Sequence, residues 1–196
     1  MTDRLPSDAL LAAVEVLAGA DLARDETARQ DALDALAFTS AALPIRRAPS
    51  VRAVARVYAR DRYQCRYCGQ RLILGQVLRL LSRLHPHALA YQENWKTGVA
   101  HPIFAALSAT LDHITPVTLG GDSLDEANLA CACWPCNLRK ADLPLDVTGF
   151  ELTAAPADPT WDGLSRSYRA LWEATGRIDI GTHERAWMRA IDAIGH

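Results

Sequence analysis

No stretch of this sequence approaches the roughly 20 consecutive apolar residues that cross a bilayer, which excludes a membrane-spanning helix. The opening residues, MTDRLPSDALLAAVEVLAGA, lack a basic leader segment and set Asp8 and Glu15 among their apolar positions, so they do not read as a signal peptide. The expectation is a soluble, cytoplasmic chain with no membrane partner. No internal repeat is present, which sets repeat architectures aside. Disorder is excluded by composition, because 49% of residues are hydrophobic and 22% charged. A length of 196 residues suits one domain with helical additions, or one domain and a small satellite.

A strong net charge is also missing, since the total is −2. The distribution says more than the sum. Residues 1–43 hold three Arg against eight acids, whereas residues 44–83 hold ten Arg against the single Asp61. The remainder is mildly acidic. Such an Arg-rich run is either a solvated helix face or a contact surface for an acidic partner.

Residues 7 to about 38 read as helix, with Ser7 as N-cap and Leu10, Leu11, Val14 and Leu17 at helical spacing. Gly19 and Asp21 are expected to interrupt it, after which Ala32, Leu33, Leu36 and Ala37 continue a second short helix. Pro44 and Pro49 make 43–50 a linker. Ser50 then caps VRAVARVYARD, a helix with Val51, Val54, Val57 and Tyr58 on one face and Arg52, Arg56 and Arg60 on another. Residues 72–84 suggest a strand running into a helix. TLDHITPVTLGG and NLACACW read as two short strands, and PCNLRKAD as a helix with Pro135 at its first position. Two further helices near 164–175 and 183–194 carry apolar faces suited to packing on the core.

Five cysteines make an odd set, and four of them form two C-x-x-C pairs, CRYC at 65–68 and CWPC at 133–136. In a chain without a secretion signal, metal is favoured over disulfides. Four thiolates satisfy tetrahedral zinc and leave no open position, so Cys65, Cys68, Cys133 and Cys136 predict a structural Zn²⁺ site. Gly69 suits the tight turn after the first pair. Cys131 could substitute as a ligand, although a small buried thiol fits it better.

Phosphodiester hydrolysis needs a base for water, a cation for the developing charge, and contacts for the phosphate. Residues 111–140 offer each. His113 carries an imidazole, a side chain suited to accepting a proton. Asp112 and Asn137 supply hard oxygen ligands of the kind that Mg²⁺ prefers. The helix from Pro135 directs free N–H groups toward an anion, with Arg139 and Lys140 in its first turns. Adjacent strand residues face opposite ways, so Asp112 and His113 require a twist or bulge to share one cleft. His85, His87 and His101 are read as loop or core residues.

At these residues the chain resembles the HNH endonuclease family of the ββα-metal fold. The matched elements are RD…CRYCG, LDHITPVTLGG, NL and CWPCNLRK, over 60–69 and 111–140, about a fifth of the chain. The resemblance implies an α+β fold in which a small ββα-metal zinc module is embedded in mostly helical N- and C-terminal additions. It divides the chain into an acidic helical region at 1–43, a nuclease module at 44–148 with an insertion at about 70–108, and a helical region at 149–196. It implies His113 as general base and Asn128 as the middle Asn that braces the loop and orients the histidine. Asp112 and Asn137 become ligands of one catalytic Mg²⁺ or Mn²⁺, beside the structural zinc. The implied substrate is DNA, with Arg52, Arg56, Arg60, Arg62, Arg66, Arg139 and Lys140 along its backbone. A homodimer is left open. The rival reading is a non-catalytic zinc module that binds nucleic acid or protein; it needs the same cysteines but has no use for His113. An inactive nuclease fold kept as an assembly subunit is a third.

Overall fold

The computed structural model describes residues 7–36, 47–153, 158 and 160–194. Two compact units emerge, Met1–Leu43 and Pro44–His196. In the first, α1 (Ser7–Ala23) packs on α2 (Glu26–Ala35). The break expected at Gly19 and Asp21 falls instead at Arg24 and Asp25, and α1 continues through both earlier positions. The reason is capping. Asp25 accepts hydrogen bonds from the Thr27 and Ala28 N–H groups, while a single Gly inside a helix costs only about 1 kcal/mol. Leu11 and Val14 of the expected packing face are exposed, and Ala20 and Ala32 are buried. The Ser7 cap, Ala37 and the Pro44 end of the linker lie outside what is described.

In the second unit, Ser50 caps α3 (Val51–Arg60) by accepting from the Ala53 N–H at 3.2 Å. Ala55, Val57 and Tyr58 form its buried face, and Arg52, Arg56 and Arg60 are exposed. The chain then turns through Arg62 and Tyr63, both with left-handed φ, into the first cysteine knuckle. Gly163 is required beside this turn, because a Cβ there would stand 2.3 Å from Tyr63 Cγ. Ile73 pairs with Ser108 in a parallel bridge, and α4 (Gly75–Leu84) follows. Leu72, Leu74, Val77 and Leu80 join the same buried cluster as Tyr58 and Cys131, so this part of the expected insertion is woven into the core.

After α5 (Ile103–Leu107), β1 (Ala109–His113) pairs antiparallel with β2 (Leu129–Cys133), and α6 (Trp134–Lys140) begins at once. These three elements are the ββα part of an otherwise helical α+β fold. Pairing runs residue for residue from Ala109↔Cys133 to His113↔Leu129, with no bulge. The expected irregularity is absent because His113 is the last residue of the strand, and its ring sits against the loop that follows. α7 (Leu145–Thr148), α8 (Ser167–Ala174) and α9 (Gly181–Ile194) complete the unit. Leu164, with φ of 61°, lies before α8 rather than inside it. As expected, Tyr168, Trp187, Ala190 and Ile191 are core residues, and Trp187 stacks on Tyr58 at 5.8 Å.

Asp61, the one acid of the basic segment, is buried. Its carboxylate accepts from Arg60 at 2.8 Å, Arg66 at 3.1 Å and the Cys131 N–H at 2.8 Å. The end of α3, the knuckle and β2 therefore meet on one side chain. Removing it strands a buried N–H and leaves two guanidinium groups without their acceptor. Asp61→Ala is expected to lower the unfolding free energy by about 3 kcal/mol in a urea titration followed by circular dichroism. Asp61→Asn, which keeps an acceptor, loses less.

Candidate active site and metal centre

The two knuckles bring Cys65, Cys68, Cys133 and Cys136 together, with all four sulfurs within 4.8 Å of one another. Cys68 Sγ and Cys133 Sγ are 3.8 Å apart. A tetrahedron of sulfurs around zinc, at about 2.3 Å each, has an edge of about 3.8 Å, so the cluster fits that ion. The Cys65 thiol is held down at about 5, chiefly by the hydrogen bond from Cys133, with backbone N–H groups adding to it. The same bond, then burial, pushes Cys133 up, and burial pushes Cys136 up to about 12. Zinc takes its sulfur ligands as thiolates, so loading displaces protons from the cluster. Cys131 stands outside the cluster as a fully buried thiol whose backbone N–H serves Asp61.

A cleft of about 240 Å³ opens beside β1 and α6, with Asp112, His113, Trp134, Asn137 and Asp142 in its walls. Asp112 is buried, and one of its oxygens carries both of its partners. Tyr67 donates its hydroxyl to Oδ2 at 2.5 Å, and Lys140 Nζ lies 3.3 Å from the same atom. Burial and this carboxylate push the Tyr67 phenol well up, so it stays a donor. Asn137 donates from Nδ2 to Thr110 Oγ1 and to the Leu111 carbonyl, each at 3.0 Å. Its amide oxygen has no hydrogen-bond partner among the described residues. His113 Nε2 lies 3.3 Å from the Ser123 carbonyl.

The loop between the strands is held from within. Asn128 Oδ1 accepts from the Thr115 N–H at 2.8 Å, and its Nδ2 donates to the Thr115 and Asp122 carbonyls at 3.0 Å. Gly120 takes φ of 91°. At Gly121 a Cβ would fall 2.0 Å from the Thr115 carbonyl oxygen and 2.7 Å from Asn128 Nδ2. The Gly-Gly pair thus serves one left-handed turn and one close approach. Asn128 bonds within the loop; it secures Asp122, whose neighbour Ser123 faces the imidazole.

Residues 100–143 match the family model of HNH endonuclease. The HNH segment contains Asp112, His113, Asn128, Cys133, Cys136 and Asn137, and Cys65 and Cys68 lie outside it. No curated protein and no solved structure matches the chain.

Several expected contacts of the HNH segment and the basic helix need correction. Lys140 has no exposed surface, and its ammonium donates to the His113 carbonyl at 2.6 Å beside Asp112, so it cannot lie on a phosphate backbone. α6 has seven residues, which puts Arg139 and Lys140 in its last turn rather than its first. One of its leading N–H groups does not await an anion, because the Cys136 N–H points at Cys133 Sγ at 3.4 Å. Arg60 and Arg66 are committed to Asp61 and to the carbonyls of Glu126, Leu129 and Thr153. Arg56 pairs with Glu126 and Arg139 lies over Phe150 at 4.8 Å, both at the surface. Arg52 and Arg62 are exposed and have no such partner among the described residues.

Tyr67, Thr110 and Ser123 are site residues that sequence reasoning missed. Tyr67 had a signal in its place between two cysteines. A backbone carbonyl such as that of Ser123 has none. Protein purified without added metal is expected to hold one zinc per chain by elemental analysis. Cys136→Ser should lose zinc and melt at a lower temperature, since the metal closes a loop of more than 60 residues.

Proposed function

We propose that the cleft hydrolyses phosphodiester bonds in DNA with the help of one divalent cation, Mg²⁺ or Mn²⁺. The observation that carries this reading is the meeting of Asp112, His113 and Asn137 on one cleft inside the HNH segment. The Ser123 carbonyl accepts only from a protonated Nε2, which leaves the lone pair of the neutral ring on Nδ1. That nitrogen takes the proton of the attacking water. Asn128 and Gly121 keep Ser123 in place and so position the base.

Asp112 and Asn137 would hold the cation. Tyr67 and Lys140 engage Oδ2 of Asp112, and Asn137 bonds through Nδ2, so one carboxylate oxygen and one amide oxygen remain for a hard ion. Once bound, the cation stabilises charge on the phosphate oxygens. Arg52 and Arg62 contact the backbone, joined by Arg56 and Arg139, whose surface partners hold them weakly.

His113→Ala is expected to reduce plasmid nicking by at least about 100-fold, the usual scale of a general base, while zinc content and DNA binding persist. Unchanged cutting in that variant sinks the mechanism and favours a non-catalytic zinc module. Gly121→Ala should likewise lose cutting with zinc retained, because the added methyl collides with the Thr115 carbonyl. Binding measured across a salt series should weaken as salt rises, and Arg52→Ala with Arg62→Ala should flatten the slope by about 2.

A further inference from the structure

A second cavity, of about 120 Å³, lies at the other end of β1, with Tyr58, Gln76, Arg79, Trp95, Ser108 and Trp187 among its walls. Its volume is several times the roughly 30 Å³ that a water molecule occupies in the liquid. Two of its polar side chains are more than nine-tenths buried, with Gln76 8% exposed and Ser108 2%. Among the described residues the Ser108 hydroxyl is buried with no hydrogen-bond partner, and the Gln76 amide, also without one, still reaches solvent. A buried hydroxyl without a partner is costly, so Ser108, beside an uncommitted Gln76 amide in the same chamber, marks a site built for a ligand.

The chemistry of the walls names the ligand class. Aromatic faces stack on flat heterocycles. A glutamine amide sets a donor beside an acceptor, the pattern that meets a base edge bidentately, and a hydroxyl takes either role. We propose that this cavity binds a nucleobase next to the catalytic cleft. The two chambers share an aromatic wall, since Trp95 of the cavity meets Trp134 of the cleft with ring centroids 5.4 Å apart. Ala109 lines the cavity, and Asp112 and His113 line the cleft, three and four residues further along β1. At strand rise that is about 10–13 Å, or roughly three to four base steps of 3.4 Å. A base drawn from a strand into the cavity therefore sets the position of the cut. The DNA source of that base rests on the nuclease reading; a free nucleoside presents the same ring.

Trp95 and Trp187 line the cavity, so tryptophan quenching reports its occupancy. The His113→Ala protein is titrated with a duplex carrying one mispaired base, with the same duplex abasic at that position, and with each free nucleoside. The mispaired duplex is expected to bind about tenfold more tightly than the abasic one, the scale of one stacked base. Gln76→Leu should remove the difference, and Ser108→Ala should reduce it. Gln76-dependent quenching by a nucleoside, with no preference between duplexes, supports the cavity and assigns it to a free nucleoside. Equal affinity for both duplexes together with no nucleoside quenching overturns the proposal. So does discrimination that survives in both variants when circular dichroism shows them folded. Plasmid cutting by the unaltered protein is scored separately. Cutting without base-dependent binding removes only the cavity assignment, and base-dependent binding without cutting removes only the nuclease reading.

Discussion

The buried ammonium of Lys140 is the constraint around which the cleft is arranged. A charge with no exposed surface must be paired and hydrogen-bonded. Its partners are the Asp112 carboxylate and the His113 carbonyl, both at the end of β1. The last residue of α6 is thereby fastened to the two residues whose side chains line the cleft. The fastening also selects which Asp112 oxygen is occupied. Tyr67 joins Lys140 on Oδ2, so Oδ1 is the oxygen without a hydrogen-bond partner among the described residues.

Tyr67 gives the sulfur cluster its connection to the cleft. It sits between Cys65 and Cys68, and its hydroxyl reaches the carboxylate while its ring stacks on Phe150 at 5.1 Å. Cys133 and Cys136 flank the start of α6, and Asn137 follows directly. Order in the cluster is thus passed along two short paths, one reaching Asp112 through the Tyr67 hydrogen bond and the other running along the chain to Asn137. Soft sulfur donors on one side and hard oxygen donors on the other keep the two metal preferences apart.

Arginine in the basic segment has two destinations. Arg60 and Arg66 neutralise Asp61 and close backbone carbonyls of the β2 region, which makes them part of the fold. Arg52 and Arg62 remain at the surface. A sequence count of ten Arg against one acid therefore overstates the charge available to a partner, because it cannot register ion pairs and carbonyl contacts formed within the chain.

The sequence by itself determined the four cysteines, the Asp-His pair, the Gly-Gly turn and the ββα order, because each depends on residue type at short spacing. The Ser50 cap was legible for the same reason, whereas β1 ends at His113, before the Gly-Gly turn where the pattern placed its end. Only the tertiary structure decided that Lys140 is interior rather than a phosphate contact, that the Cys136 N–H of α6 turns to sulfur, and that Tyr67 and a Ser123 carbonyl complete the cleft. It also decided that residues 72–80 are core and that Gln76 and Ser108 face a second chamber. The Lys140 and Tyr67 contacts join surfaces 27 and 45 residues apart in the chain, and local patterns of apolar and charged residues do not encode such long-range pairings.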